Sequence, residues 1–337
     1  MSDMSSTQRL LVLWPTSKCN LKCKYCYASG ISGEDMNFET AKRALDLMSD
    51  SPLKIQFAGG EPLLNLPLIE RVLEYASAEC NTVSFSIQTN GTILNDEIID
   101  VLKRYKVAIG VSLDGKPETN NYLRGNTKAV IDNILLLRDH GLMTNLTVVV
   151  SDYNVGKLAE TIDLAMYLGN INGIGLDLLR KAGRADEPNS PVGAADGASL
   201  GLGLRALYEH LQKINSVYPR KIIVREFEKA CIELQSKTIN RDYCYAAQGN
   251  SFVVLPNGDC YPCGSLAYEK QYYMGNVYTA VVPIPIRCER PAICEECEYG
   301  AICPGGCPSR VLLCGGFDEL DCVMKKTIYT LIEETDK

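Results

Sequence analysis

The 337-residue sequence has no apolar run near the roughly 18 residues that a bilayer-crossing helix needs, so no membrane-spanning segment is expected. Its first eight residues, Met1 to Gln8, lack the charged segment, apolar stretch and small-residue cleavage site of a secretory signal, which makes a cytoplasmic location the expectation. Basic residues are in deficit, with 34 Lys and Arg against 41 Asp and Glu and a formal charge of -7. That balance argues against nucleic acid as a partner, because binding there rests on phosphate neutralisation by a basic surface. Histidine is scarce. The two present, His140 and His210, fall on predicted helices far from any cysteine group and read as surface residues rather than ligands.

Cysteine, by contrast, is abundant at fifteen, and in a reducing compartment that number indicates metal or cluster binding rather than disulfides. Three cysteines lie in Cys19-Asn20-Leu21-Lys22-Cys23-Lys24-Tyr25-Cys26, a CxxxCxxC spacing directly after the apolar run Leu10 to Trp14. Three thiolates on a compact loop can bind three irons of a four-iron four-sulfur cluster and leave the fourth iron without a protein ligand. Closed electron carriers and structural zinc sites both require four ligands.

At these residues the chain resembles the radical SAM enzymes, and the resemblance takes in the aromatic Tyr25 and the downstream segment Gly59-Gly60-Glu61-Pro62. It implies that the open iron binds the amino and carboxylate groups of S-adenosylmethionine (SAM), which one electron cleaves to a 5′-deoxyadenosyl radical.

Apolar runs of strand length at Leu10–Trp14, Lys54–Ala58, Val83–Gln88, Ala108–Leu113, Asn145–Val150 and Gly173–Leu178 alternate with amphipathic segments near Glu39–Met48, Leu66–Ala78, Asp96–Tyr105, Ala129–His140 and Lys157–Leu168. This α/β pattern predicts a partial (β/α)6 TIM-like barrel over residues 1–230, since a closed eight-stranded barrel needs more chain before the cysteine-rich region. The radical SAM resemblance implies the same fold. Ligands of such folds sit at the carboxyl ends of the strands.

Gly59-Gly60 ends the second strand, either to let backbone approach a ligand or simply as a strand-to-helix turn before Pro62; the resemblance implies contact with the SAM amino group. Asn90, in Gln88-Thr89-Asn90-Gly91-Thr92, is a ligand contact or part of an Asn-Gly turn. Ser112 and Arg124 offer a hydroxyl and a guanidinium suited to the ribose and carboxylate of SAM. Their separation matches the peptide-modifying branch of the family, although Arg124 also reads as a solvated loop charge. Together with Tyr25 and Glu61 these residues form the expected SAM site. No acid or base is assigned: Asp114, Asp177 and Glu61 read as positional. Residues 183–200 read as a loop over the barrel mouth, a lid or a long connection. Leu202–Ile214 reads as a further helix, and Lys221–Glu228 as the passage to the second domain, 231–337.

Ten of the fifteen cysteines fall from Cys244 onward. Two short β segments flank a Pro256-Asn257-Gly258 turn, and the run Cys294-x2-Cys297-x5-Cys303-x3-Cys307 supplies more thiolates than one zinc site uses. The pattern Cys-x13-Gly-x4-Cys, CxxCx5Cx3C, Cys is similar to the SPASM domain, a radical SAM extension with two auxiliary iron–sulfur clusters, making three 4Fe-4S clusters in all. The resemblance implies ligands Cys244, Cys263 and Cys307 for the first and Cys294, Cys297, Cys303 and Cys322 for the second, with Cys314 a poorer match than Cys322. A further cysteine that some members carry after the first is missing between Tyr245 and Asn250. Either Cys260 fills the vacancy or an iron stays open, although Cys260 also reads as a buried inert thiol. Cys80, Cys231 and Cys288 read as structural. Sulfatase maturases of this architecture carry a basic aspartate where this chain has Gly264, which demotes that reaction.

The sequence thus implies a radical SAM maturase acting on a precursor peptide or small protein, forming a thioether or carbon–carbon crosslink, with a ferredoxin or flavodoxin as electron donor. About nine residues precede the first strand, so no leader-binding module is expected before it. The rivals are action on a small molecule such as a tetrapyrrole, electron transfer without catalysis, and zinc sites in the C-terminal third.

Overall fold

A computed structural model of the chain describes residues 8–29, 33–48, 51–236 and 242–335; most of the segment read for a secretory signal lies outside them. Strands β1 (Arg9–Leu13), β2 (Leu53–Phe57), β3 (Val83–Thr89), β4 (Ala108–Ser112), β5 (Thr144–Val150), β6 (Ile171–Leu178) and β7 (Ile223–Val224) pair in chain order, all parallel. Parallel neighbours need crossovers. These are supplied by α1 (Phe38–Asp46), α2 (Leu66–Glu79), α3 (Asp96–Arg104), α4 (Pro117–Leu123), α5 (Thr127–Asp139), α6 (Glu160–Leu168) and α7 (Gly197–Val217). Side-chain caps start several of them: Asn37 accepts from Thr40 N–H, Asn95 from Ile98 N–H and Asp196 from Ser199 N–H, each satisfying a donor that the helix itself leaves free.

Alternation along the strands decides which face meets the helices. In β2, Leu53, Ile55 and Phe57 are buried while Lys54 and Gln56 are half-buried. The polar set Lys54, Gln56, Ser86, Gln88 and Thr147 borders a cavity of ≈ 390 Å³. The inner face of the sheet is therefore polar and hollow, and the hydrophobic core lies between strands and helices.

The six predicted strands are all present, with boundaries within two residues of those expected. The C-terminal third departs from the simple picture. After α8 (Arg225–Ser236) come β8 (Ser251–Val254), β9 (Asp259–Tyr261) and β10 (Gly275–Asn276). The expected hairpin is β8 with β9, but β8 also pairs parallel with β1, so one ten-stranded sheet runs β10-β9-β8-β1-β2-β3-β4-β5-β6-β7. Two further helices follow, α9 (Pro308–Leu313) and α10 (Glu319–Thr335), and α10 packs on α7 and α8. Lys325 and Tyr329 of α10 both bond Glu233 of α8, at 2.9 Å and 2.5 Å. Residue 230, the expected domain boundary, lies inside α8. No helix among the described residues is long and apolar enough to cross a membrane.

Candidate active site

The carboxyl ends of β1 to β6 converge, and the cysteine loop after β1 is fastened to three of its neighbours. Gly59 and Gly60, after β2, lie against residues leading into that loop. A Cβ at Gly60 would stand 2.1 Å from the Lys18 carbonyl oxygen, and one at Gly59, where φ is +118°, would stand 2.8 Å from Thr16 O. Glycine is required because the chain's own backbone fills the space. Gly60 N–H bonds Thr16 O at 3.1 Å and Glu61 N–H bonds Lys18 O at 2.8 Å.

Glu61 is fully buried. Its carboxylate accepts from Thr89 Oγ1 (2.7 Å), Asn90 N–H (2.7 Å) and Leu63 N–H (3.2 Å), joining the ends of β2 and β3. Burial pushes its pKa up to about 7, against the opposing pull of those bonds. Asn90 in turn donates through Nδ2 to Asn20 Oδ1 at 2.8 Å and toward Cys19 Sγ at 3.9 Å. Its Oδ1 accepts from Thr92 N–H and hydroxyl. Asn90 thus closes its own turn and also contacts the cysteine loop.

A second fastening centres on Asp114, after β4. Its carboxylate receives Arg124 Nε (2.8 Å), Arg124 Nη2 (3.1 Å), Val149 N–H (2.9 Å) and the Tyr25 hydroxyl. Arg124 also stacks over the Tyr25 ring, 5.3 Å from its centroid. Arg124 is thus a buried paired cation and not a solvated loop charge, with Nη1 uncommitted to Asp114. Ser112 stands apart from it: its hydroxyl accepts from Gln88 Nε2 at 2.9 Å. Arg184, in the loop 183–200, donates to Cys23 O at 2.7 Å, and its N–H bonds Cys26 O at 3.1 Å. The near end of that loop is pinned to the cysteines.

No three Cys, His, Asp or Glu side chains among the described residues are grouped so as to hold a metal ion. The thiols nevertheless gather as electrostatic neighbours, Cys19 with Cys26 and Cys23 with both. Burial pushes Cys19 and Cys23 up, and Arg124 opposes this at Cys23. Cys244 neighbours Cys307 and Cys263. Cys322 neighbours Cys297, Cys294 and Cys303. Each expected ligand set thus contains thiols within electrostatic reach of one another, drawn from segments up to dozens of residues apart. Cys260 is not with them. It is 1% exposed in the main core, its pKa pushed by burial to about 12, whereas Cys244 and Cys263 border a separate apolar cluster. Cys288, expected to be structural only, neighbours Cys307 and donates to Pro308 O at 3.6 Å. Cys314 meets Asp318 instead.

Beside the C-terminal thiols lies a group of which sequence reasoning named only Asp177 and the cysteines, and missed Arg180 and its neighbours. At the end of β6 a cavity of ≈ 190 Å³ is bordered by Asp177, Arg180, Arg225, Tyr243, Cys244 and Cys307. Arg180 Nη2 reaches Cys307 Sγ at 3.9 Å. Burial opposes ionisation of Asp177, but Arg180 and Arg225 prevail and hold its carboxyl below the usual range. Tyr27 neighbours Arg180, Cys263, Cys26 and Asp177. Position alone could have nominated both: Tyr27 directly follows Cys26, and Arg180 lies just past the carboxyl end of a parallel strand.

A family model, Radical SAM superfamily, matches residues 15–165. An uncharacterized protein of Methanocaldococcus jannaschii is 30% identical over 280 residues, covering 79% of this chain and 88% of that protein. The serine-type anaerobic sulfatase-maturating enzyme of Klebsiella aerogenes is 25% identical over 333 residues, 89% of this chain and 80% of the relative. Among solved structures, native anSMEcpe with bound AdoMet and Cp18Cys peptide superposes with a TM-score of 0.81 at 20% identity, covering 98% of this chain and 99% of that one. Streptococcus suis SuiB bound to precursor peptide SuiA gives 0.68 at 17% identity, covering 94% and 76%. These likenesses bear out the α/β fold, and the first two comparisons carry the family. The chain belongs to the radical SAM superfamily and is one of its enzymes.

Proposed function

We propose that this enzyme modifies a peptide or small protein after translation, removing hydrogen from an unactivated carbon of the substrate, with a thioether or carbon–carbon crosslink as the product. One observation carries the reading: Tyr27 is within electrostatic reach of both Cys26 and Cys263, and Arg180 of Cys263 and Cys307, so a substrate beside them would stand near both thiol groups. The peptide-bound neighbours of the same fold support a peptide rather than a small molecule.

Cys19, Cys23 and Cys26 would hold a four-iron four-sulfur cluster, and Cys244, Cys263 and Cys307 with Cys294, Cys297, Cys303 and Cys322 would hold two more, as in a SPASM domain. When bound to the first set, that cluster would supply one electron to the sulfonium of SAM, whose C–S bond would then break to methionine and a 5′-deoxyadenosyl radical. Asn90 and the Leu21 N–H donate toward Cys19 Sγ, at 3.9 Å and 3.5 Å, and so favour its thiolate. Asp114 holds Arg124 and Tyr25 in place, leaving Arg124 Nη1 to meet the SAM carboxylate. Ser112 lies on the same end of the sheet for the ribose. The fourth thiol of the Cys244 set is Cys288 in this reading, since Cys260 packs elsewhere. A ferredoxin or flavodoxin supplies the electron. Gly264 offers no carboxylate, which separates this enzyme from the sulfatase maturases.

The test is anaerobic reconstitution followed by SAM and dithionite. 5′-Deoxyadenosine is expected even without substrate, and its absence refutes the enzyme reading; a candidate peptide should then lose hydrogen by mass.

A further inference from the structure

Three of the cations around the cavity at the end of β6 are matched by carboxylates. Arg225 pairs with Glu226 and Asp177, Arg310 with Asp318 and Asp321, and Lys325 with Glu233. Arg180 has no ion pair among the described residues, and its Nη2 lies 3.9 Å from Cys307 Sγ instead. Asp177, an electrostatic neighbour of Arg180, bonds Arg225 at 3.4 Å. The Arg180 charge is therefore left for the thiols.

Ser309 makes a second contact to the same sulfur. It is 2% exposed, and its Oγ lies 3.2 Å from Cys307 Sγ. Arg180 Nε donates to Ser309 Oγ at 3.5 Å, which uses that oxygen as an acceptor and leaves its proton for the sulfur. A metal-ligating cysteine is a thiolate with no proton to give, so both contacts run toward Cys307 as donors. One is cationic and comes from the end of β6; the other is neutral and comes from the first turn of α9. Other expected ligand thiols accept from neutral groups: Cys19 from Leu21 N–H and Asn90, Cys303 from Gly305 N–H, Cys244 from the N–H groups of Ala246 and Ala247.

We propose that Arg180, together with Ser309, raises the reduction potential of the cluster held by Cys307. This rests on the reading of Cys307 as a cluster ligand given above. Hydrogen bonds to ligand sulfurs and the net charge of the site both govern such potentials. Reduction there adds one electron and hence one negative charge, and no proton moves, because a guanidinium stays protonated. A fixed cation beside the sulfur favours the reduced form, and the Asp177 carboxylate opposes it.

The test is a redox titration with dithionite followed by electron paramagnetic resonance. It uses the anaerobically reconstituted full chain with Cys19, Cys23 and Cys26 replaced by alanine, so that only the C-terminal clusters report. Arg180→Met should lower one of the two midpoint potentials and leave the other, making reduction about tenfold less favourable, which is about 59 mV for one electron. Arg180→Lys keeps the charge and should lower it less. Ser309→Ala should make reduction of the same cluster about fivefold less favourable, the loss expected for one neutral hydrogen bond. Asp177→Asn should raise the potential. Iron is counted on every sample. If Arg180→Met does not load iron, Arg180→Lys and Asp177→Asn carry the test through their opposite shifts. Unchanged potentials in all variants, equal shifts in both clusters, or a loss with Arg180→Lys as large as with Arg180→Met would each overturn the proposal while the clusters still stand. A parent protein without iron in its C-terminal third would instead overturn the reading beneath it.

Discussion

The Arg124 guanidinium holds the Asp114 carboxylate with two hydrogen bonds, at 2.8 Å and 3.1 Å, in a pair whose side chains are 10% and 0% exposed. The same carboxylate binds the Tyr25 hydroxyl and Val149 N–H, so the cysteine loop, β4 and β5 meet at one anion. Breaking a buried pair by removing one partner leaves the other charge uncompensated. Asp114→Asn should therefore cost about 3–5 kcal/mol in urea unfolding of the metal-free protein, and should weaken SAM binding measured by equilibrium dialysis. Unchanged stability would show that the pair does not organise the site.

Glu61 makes stability depend on pH. Its pKa is about 7 in the folded chain against an ordinary 4.5, so between those values the folded state holds the proton more tightly. Stability is then greatest below about pH 4.5 and falls as pH rises toward 7, by roughly 3 kcal/mol in total. Glu61→Gln should flatten that slope. It should also lower stability at acidic pH by about 1–3 kcal/mol, because an amide N–H₂ then faces a backbone donor. Urea midpoints of the metal-free protein across this range decide it; identical slopes for both proteins would contradict the account.

Gly60 should tolerate no side chain. Gly60→Ala puts a Cβ 2.1 Å from a backbone oxygen, which cannot move aside as a flexible side chain can, so the loop must shift. Reduced cluster loading at the first set is expected, visible as about four fewer irons per chain. Gly156→Ala, with nothing within 4 Å of its Cβ, is the control and should load normally.

Cys288 and Cys260 should differ when replaced by serine. Cys288→Ser is expected to shift the midpoint potential or iron content of one C-terminal cluster, since the thiol lies beside Cys307. Cys260→Ser places a hydroxyl in the core and should lower stability without changing the metal spectra. The opposite pattern would restore Cys260 as the fourth ligand.

The strands and helices of the barrel were legible because apolar periodicity of two and of three to four residues is a local property. That thiols within each expected set neighbour one another was legible through spacing and family resemblance. Pairings across the chain were not. Gly60 is fixed by Lys18, whose carbonyl reaches it only once β1 and β2 are adjacent. Asp114 earns its place through Tyr25, 89 residues away, and Val149, 35 away. The helix α10 carries a readable apolar face in Met324, Ile328, Leu331 and Ile332, but it begins beside Cys322 in a region whose thiol spacing dominated the reading. The pairing of β8 with β1 has no local signal, because a parallel partner is chosen by the whole sheet.

The account depends most directly on an iron left open by Cys19, Cys23 and Cys26. Electron paramagnetic resonance of the dithionite-reduced protein, recorded before and after SAM is added, tests it. The predicted result is a changed signal on SAM addition that is lost when all three cysteines become alanine, with iron retained in the C-terminal third. A signal indifferent to SAM, or a SAM response that survives the triple replacement, would contradict it.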